Sequence, residues 1–211
     1  MTLTKPAPTR RRKSKDSYHH GDLEAALLVE AKRLVSKHGV EKLSLRQVGV
    51  NIGVSPSAAY HHFPDKDSLL TAAAKSAFED LANFQEVQLA QFSANSALGA
   101  RRRFRALGAS YVAFAQSNSN LFRLCFGPYC GGEDMAREES RPWQLLASCV
   151  TDLEKFGEVD PKLRPYAELL AWTSIHGVAT LVLDELLPED AVESVLDALE
   201  LSLKGTGKVA R

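Results

Sequence analysis

Long hydrophobic runs are missing from this chain of 211 residues. No stretch reaches the roughly 18 consecutive apolar residues that a membrane-spanning helix needs, and no apolar core of a secretory signal follows the Lys/Arg-rich start. Cysteine is scarce as well: Cys125, Cys130 and Cys149 are an odd number, which does not suit a disulfide framework. We therefore expect a cytoplasmic protein with reduced thiols and no membrane segment.

Catalytic and metal-binding motifs are also absent. The sequence has no phosphate-cradling Gly loop, nucleophile elbow or paired-acid motif. The pairs His19–His20 and His61–His62 lack the i, i+4 spacing of a metal site on a helix. Cys125 and Cys130 could form a redox pair, although buried, unreactive cysteines are commoner. The sequence thus predicts no enzyme, no catalytic residue, no metal and no cofactor.

Charge is balanced overall but not along the chain. Residues 1–63 contain 11 Lys and Arg against 5 Asp and Glu, whereas residues 64–211 contain 15 against 21. Such asymmetry indicates that one end meets a polyanion. A basic, solvated tail beside an acidic body would explain part of it, because five of the basic residues lie between 10 and 15 in a Pro/Thr/Ser-rich segment. We expect residues 1–17 to be a disordered basic arm.

Helical periodicity is what the sequence has in abundance, and no segment alternates convincingly with period two. The fold class is therefore predicted to be all-α. Apolar residues recur at helical spacing from about Leu23 to Lys37, with Asp22 as a plausible N-cap and Gly39 just past the end.

Two segments after this first helix are too short to form stable helices alone. Residues 44–52 predict a helix with a capping box, since Gln47 lies three residues after Ser44. Gly53 suits a tight turn, and residues 55–63 predict another short helix with a Ser cap and Pro at its first position. Two short capped helices joined by a Gly-containing turn predict a helix-turn-helix, steadied by the first helix.

The predicted unit has an apolar and a polar side. The residues expected to be buried are Val48, Ile52, Val54, Ala58 and Phe63. Those expected to be more exposed are Ser57, Tyr60, His61 and His62. Hydroxyl and imidazole groups can donate to phosphate oxygens and meet base edges in the major groove.

The stretch HGVEKLSLRQVGVNIGVSPSAAYHHFPDKDSLL resembles the TetR family of bacterial transcriptional regulators, over roughly residues 18–72. Matching features are the Gly after the first helix, the capped second helix, GVS at the turn, and YHHF followed by Pro and Lys before Leu-Leu. Three positions depart from the family pattern: Gly49 replaces the usual Ala, Asn51–Ile52 replaces a more polar or Ala-containing pair, and Ala59 replaces a common Leu. The resemblance implies a DNA-binding domain in residues 18–65 that contacts double-stranded DNA through Ser44, Arg46, Ser55, Pro56, Ser57, Ala58, Tyr60, His61, His62 and Lys66.

By the same resemblance, residues 66–211 form a larger helical domain for effector binding and dimerisation. Trp172, His176 and Gly177 resemble the Trp-His-Gly signature of one carboxy-terminal domain type in the family, on a helix predicted over residues 161–187. A satisfied core histidine and a glycine packing notch are the simpler interpretation, which we favour over a catalytic or metal role.

An aromatic-rich middle follows, most of which should be core. A minority could line an apolar cavity for an unknown small-molecule effector. The residues predicted to bind it are Phe104, Tyr111, Phe122, Phe126, Trp143, Trp172 and His176.

The last predicted helix, residues 189–204, carries one apolar stripe. Paired with the helix before it, this stripe predicts half of an isologous four-helix homodimer interface, and burial against its own subunit is the alternative. The predicted interface residues are Leu169, Thr173, Gly177, Leu181, Val192, Val195, Leu196, Leu199 and Leu203.

These features predict a homodimeric DNA-binding regulator, most often a repressor in this family, that a small-molecule effector releases from a palindromic operator. The alternative is a DNA-binding regulator controlled by a protein partner or by cysteine oxidation. An enzyme built on the same helical scaffold is a distant third possibility.

Deleting residues 1–16 should weaken DNA binding without unfolding the protein, because its basic residues can follow the DNA backbone or enter the minor groove. Full-length and truncated protein would be titrated against the same duplex at moderate salt, with a thermal melt of each to check folding. Equal affinities would leave the segment a solubility tail.

Overall fold

The structure is a computed structural model, which describes residues 20–130 and 140–205. Within these ranges the regular elements are all helical, which confirms the predicted all-α class. The arm predicted over residues 1–17 lies outside the described residues. The helices are α1 His20–His38, α2 Leu45–Asn51, α3 Pro56–His62, α4 Lys66–Leu89, α5 Ala97–Ser117, α6 Ser119–Cys125, α7 Arg141–Lys155, α8 Ala167–Leu183 and α9 Ala191–Lys204.

The boundaries of α1 and α2 differ from the prediction in their caps. Helix α1 begins at His20, so Asp22 lies inside it and is not the N-cap. Ser44 is the N-cap of α2, but its side chain makes no capping hydrogen bond. Gln47 instead donates to Asn51 Oδ1 at 2.6 Å, so the predicted capping box was wrong.

Asn51 explains why Gln47 has a different partner. Its Nδ2 donates to Glu30 Oε1 of α1 at 2.6 Å, and Arg33 also donates to the Glu30 carboxylate. The hydrogen bond from Arg33 lowers the pKa of Glu30. Since Glu30 is buried, these bonds keep its charge paired and join the end of α2 to α1.

The turn between α2 and α3 follows the sequence prediction closely. Gly53 has a φ of 77°, the left-handed region that glycine enters without strain. Ser55 Oγ accepts a hydrogen bond from the Ala58 amide at 3.2 Å, and Pro56 occupies the first turn of α3. The helix-turn-helix is therefore present, and its second short helix has the predicted cap.

The residues buried between α2 and α3 differ from those that the sequence predicted. Val48 and Phe63 are buried as predicted. Ala59, which was not among the expected core residues, is fully buried. The other three expected core residues, Ile52, Val54 and Ala58, are only half-buried. A Cβ on Gly49 would lie 3.4 Å from the Ala59 Cβ. Gly49 and Ala59, two of the departures from the family pattern, thus face each other, and an added Cβ at position 49 would meet Ala59 at ordinary contact distance.

Helix α4 joins this unit to the rest of the protein. Its Leu69, Leu70, Ala73, Ala74 and Ala77 belong to the core shared with α1–α3 and α6. Farther along, it packs against α5 and α7. The small alanines allow neighbouring helices to pack tightly around one continuous helix of 24 residues.

Helix α8 is shorter than predicted, since it starts at Ala167 and not near residue 161. A 3-10 turn, Arg164–Tyr166, precedes it, because the Pro165 ring disfavours helical geometry in the residue before it. By length and composition alone the stretch Arg164–Leu183 could cross a membrane, a test that core helices of globular proteins also pass.

Helix α9 turns its apolar stripe toward its own subunit. Val192, Leu196, Leu199 and Leu203 are at most 9% exposed within the protomer, which favours the alternative of burial and leaves these side chains little surface for the predicted dimer interface. Val195 is half-buried. A Cβ on Gly108 of α5 would come within 2.6 Å of Leu196 Cδ2, so the missing side chain lets α9 settle into α5.

A matched pair of glycine substitutions tests the helix-turn-helix geometry. Gly53→Ala should lower the free energy of unfolding by about 1 kcal/mol, because its backbone is left-handed although no atom lies within 4 Å of the added Cβ. Gly49→Ala, inside α2, should raise it by about 0.5 kcal/mol. Urea unfolding with an unchanged m-value would measure both, and an unaltered Gly53→Ala protein would contradict the turn geometry.

Candidate nucleic-acid interface and ligand cavity

The first candidate site is the outer face of the helix-turn-helix. In α3, Pro56, Ser57, Tyr60 and His61 are exposed, with Tyr60 50% exposed despite its apolar ring. On α2 and at its start, Arg46 and Ser44 are exposed as well, as is Ser55 at the turn. These predicted DNA contacts therefore share a polar, accessible surface, which suits phosphate and base-edge contacts. Ala58 is half-buried at its edge.

His62 does not share this exposure, contrary to the prediction. Its side chain is only 11% exposed, and its Nδ1 lies 4.0 Å from Glu24 Oε2 of α1. The side chain thus lies between α3 and α1 and contributes to the packing of these two helices.

Lys66 lies at the start of α4, close to the end of α3. Its Nζ donates to the Glu41 carbonyl at 3.4 Å. Beside it, Asp65 Oδ1 accepts from the Ser68 amide at 2.7 Å, and the Asp65 amide donates back to Ser68 Oγ. The bond from the Ser68 amide to the carboxylate lowers the pKa of Asp65. A true capping box therefore anchors α4 next to the exposed face of α3.

The second candidate site is a cavity of about 340 Å³ in the helical body. Such a volume is near the lower end for small-molecule sites, which span roughly 300–1,000 Å³. It lies among α4, α5, α7, α8 and α9, next to the end of α6. Its lining is mainly aromatic and aliphatic: Phe78, Gln85, Phe104, Leu107, Gly108, Tyr111, Cys125, Phe126, Gly127, Ser140, Pro142, Trp143, Leu146, Ala171, Trp172, Ile175, Leu196 and Leu199.

Most of the aromatic residues predicted to bind an effector line this cavity. They are Phe104, Tyr111, Phe126, Trp143 and Trp172. Phe122 and His176 are not part of its lining. The Phe122 ring packs behind it, with its centroid 5.4 Å from that of Tyr111 and 5.6 Å from that of His176.

His176 is a paired histidine of the protein core. Its Nδ1 lies 2.8 Å from the Tyr111 hydroxyl, and its ring stacks on Trp172 with centroids 5.6 Å apart. Burial lowers the pKa of His176 and raises the pKa of Tyr111. The Tyr111 hydroxyl and His176 Nδ1 therefore satisfy each other through a hydrogen bond, and this agrees with the satisfied-histidine interpretation.

Gln85 is the cavity residue that the sequence analysis missed. It is 2% exposed and lies between the buried Leu81 and Leu89 of α4. A polar residue within an apolar i, i+4 series was the available signal, because such a position faces the core.

The described cysteines and possible metal ligands do not form a further candidate site. Cys125 and Cys149 are free and buried, and burial raises the pKa of the Cys149 thiol to about 12. A buried thiol far from its thiolate form reacts slowly. In the described parts of the chain, no cluster of three or more His, Cys, Asp or Glu could hold a metal ion.

A helix-turn-helix with an exposed polar face, joined to a helical body with a ligand-sized cavity, defines the class of DNA-binding transcriptional regulators. Two family models match the chain. "Bacterial regulatory proteins, tetR family" covers residues 27–73, and "Tetracyclin repressor-like, C-terminal domain" covers residues 104–201. The chain belongs to the TetR family of transcriptional regulators.

Curated relatives share the amino-terminal part. The chain is 38% identical over 61 residues to the "HTH-type transcriptional repressor AcnR" of Corynebacterium diphtheriae, covering 29% of this chain and 30% of that protein. It is 36% identical over 61 residues to the "HTH-type transcriptional regulator Rv1816" of Mycobacterium tuberculosis, covering 29% and 26%. The match thus spans less than a third of either relative.

Solved structures share the whole fold. A protein of unknown function from Rhodococcus sp. RHA1 superposes with a TM-score of 0.75 and 31% identity, over 90% of this chain and 100% of that one. A TetR family transcription regulator from Marinobacter aquaeolei VT8 gives a TM-score of 0.58 and 21% identity, over 84% and 93%. The second likeness is one of fold alone.

The lowered pKa of His176 predicts a pH-dependent stability. The unfolded chain takes up this proton near the ordinary histidine value of about 6.5, and the folded protein only at lower pH. Stability from this group is therefore complete above that value and declines as the pH falls from about 7 to about 5. His176→Gln should flatten this decline in thermal melts, whereas His38→Gln, at the exposed end of α1, should not. If the melting temperatures of the parent, His176→Gln and His38→Gln proteins declined in parallel with pH, the assigned role of His176 would be wrong.

Proposed function

We propose that this protein is a repressor that a small-molecule effector releases from a palindromic operator. The observation that carries the proposal is the continuity of α4. Its first turn, at Lys66, adjoins the exposed face of α3, and Gln85 near its other end lines the cavity. At 1.5 Å per residue the two positions lie about 28 Å apart on one helix.

The exposed surface of α2 and α3 is proposed as the DNA contact. Ser57 and His61 would face base edges in the major groove, while Tyr60, Arg46 and Lys66 would contact phosphates. The mostly covered side chain of His62, which faces Glu24, supports a structural role for that residue within this surface.

A dimer would place two such surfaces on successive major grooves, which are about 34–36 Å apart. The exposed residues of α8 and α9 support an interface there. Leu169 and Leu181 are 44% and 40% exposed, and Thr173 is exposed between them. On α9, Leu201 is 75% exposed. Only 28% of the most apolar stretch of the α8 segment is buried within the protomer.

This apolar surface fits a homodimer of the kind typical of cytoplasmic regulators in this family. Among the described residues, no atom outside the local backbone of α8 lies within 4 Å of a Cβ built on Gly177, so this glycine leaves room for a partner helix. A two-fold axis through such an interface would require a palindromic operator.

We also infer that the carboxy-terminal part is of the Trp-His-Gly type. Trp172 and His176 stack one helical turn apart and contact Tyr111 as a group. In this chain Trp172 of the signature would thus line the cavity, and His176 would pack behind it.

The switch would operate through the position of α4. An effector that fits the cavity in only one arrangement of α4 would change the separation of the two recognition helices. Arg141 of α7 supports transmission, since its guanidinium bonds Glu79 and Glu86 of α4 at 2.6 Å each. The coupling in such systems is typically about 1–3 kcal/mol, or about 5–150-fold in affinity.

Control by a protein partner or by cysteine oxidation is the second candidate. The burial of Cys125 and Cys149 favours a small molecule over oxidation at these two thiols. A cavity with aromatic walls favours a small molecule over a protein partner, which would need an exposed surface.

Lys66→Ala should weaken DNA binding about equally for all sequences and reduce the salt slope by roughly 1 per subunit, because one phosphate contact is lost. Binding would be titrated at several salt concentrations, with Lys162→Ala, exposed and distant, as the control. Ser57 and His61 substitutions should instead change sequence preference. If Lys66→Ala left both affinity and salt slope unchanged, the proposed docking would be wrong.

The effector proposal is tested by reciprocity. A compound found by screening for changes in tryptophan fluorescence should bind about 5–150-fold more weakly when the protein holds an operator duplex selected from random sequences. Trp172→Ala should reduce this response and spare DNA binding by the free protein. Equal affinity with and without operator would mean that the compound is not an inducer and would favour the partner or redox alternative.

A further inference from the structure

Gln85 leaves one buried polar atom of the cavity wall without a partner. Its Nε2 donates to the Leu107 carbonyl at 3.4 Å, while Oε1 is buried and has no hydrogen-bond partner. The Leu107 carbonyl can only accept, so the amide cannot be turned around without losing this bond. A glutamine that is 98% buried thus offers a free acceptor on a residue that lines the cavity.

The other polar side chains of the wall have partners. The Tyr111 hydroxyl is bonded to His176 Nδ1, and Trp172 also hydrogen-bonds to Tyr111. Cys125 Sγ lies 3.8 Å from the Ala74 carbonyl. Ser140 and Trp143 make contacts of their own. Gln85 Oε1 is therefore the one unpaired buried side-chain acceptor among the described lining residues.

The described part of the same lining carries no charge. None of the described residues around the cavity is Asp, Glu, Lys or Arg. An anionic or cationic ligand would lose its hydration there without gaining a counter-ion, which is strongly unfavourable. The aromatic walls instead suit a flat or compact apolar body.

We propose that the cavity binds a neutral, largely aromatic or alicyclic small molecule whose single hydroxyl or N–H donates a hydrogen bond to Gln85 Oε1. The inference rests on the proposed function only in treating this cavity as the effector site. It also explains the unpaired acceptor, since a buried polar group without a partner destabilises the free protein and is satisfied when the ligand arrives. Because Gln85 belongs to α4, the ligand would contact the helix that begins at Lys66.

Three probe molecules of similar shape distinguish the effect of a hydrogen-bond donor from the effect of a charge. They are para-tert-butylphenol, which carries a donor, para-tert-butyltoluene, which lacks one, and para-tert-butylbenzoate, which is an anion. The chain has two tryptophans, Trp143 and Trp172, and both line the cavity. Their fluorescence, excited at the red edge of tryptophan absorption to avoid the probes, reports occupancy, and calorimetry gives affinities.

The phenol should bind about tenfold or more tightly than the toluene, and the benzoate should bind most weakly. Gln85→Met keeps the length of the side chain and removes the acceptor, so it should abolish the preference for the phenol while toluene binding persists. Gln88→Met, one turn away on α4 and outside the lining, should retain the preference. The free Gln85→Met protein should also melt at a higher temperature than the parent, because it no longer buries an unpaired oxygen.

Equal affinities for phenol and toluene, tighter binding of the benzoate, or no binding of any probe would each overturn the proposal. So would a preference that survives in Gln85→Met. These measurements use no DNA, so their failure is separate from failure of the proposed repressor function. A protein that binds the phenol through Gln85 but keeps its operator affinity would confirm the site and contradict its role in release.

Discussion

The packing of α4 is the constraint on which the rest of the structure depends. Fully buried Ala73, Ala74 and Ala77 have side chains small enough for α1 and α6 to pack closely around its first half. Its second half faces α5 and α7 and contributes Gln85 to the cavity. One helix therefore belongs to the core under the helix-turn-helix and to the wall of the cavity.

Stability and function make different demands on this body. Close packing of α9 against Gly108 and pairing of His176 with Tyr111 stabilise the fold. The unfilled cavity and the unpaired Gln85 oxygen do the opposite, since both leave groups without contacts. A ligand that supplied the missing contacts would offset both effects on binding.

Local signals were sufficient for the DNA-facing unit. Gly53, Ser55 and Pro56 determine a turn and a cap through their own backbone preferences, and the structure has both. The same reasoning failed at Ser44 and Gln47. There the partner is Asn51, which is fixed by Glu30 on another helix. A cap can be predicted only when no distant residue competes for its hydrogen bond.

The sequence by itself determined the helical class, the helix-turn-helix and the aromatic richness of the cavity region, because periodicity, caps and composition are local properties. Only the tertiary structure decided which side of α9 is buried, since an apolar stripe is satisfied equally by its own subunit or by a partner. It also decided that His62 faces Glu24 and that Gln85 lacks a partner. These outcomes depend on contacts between helices that are far apart in sequence, and the residue pattern of a single helix cannot predict such contacts.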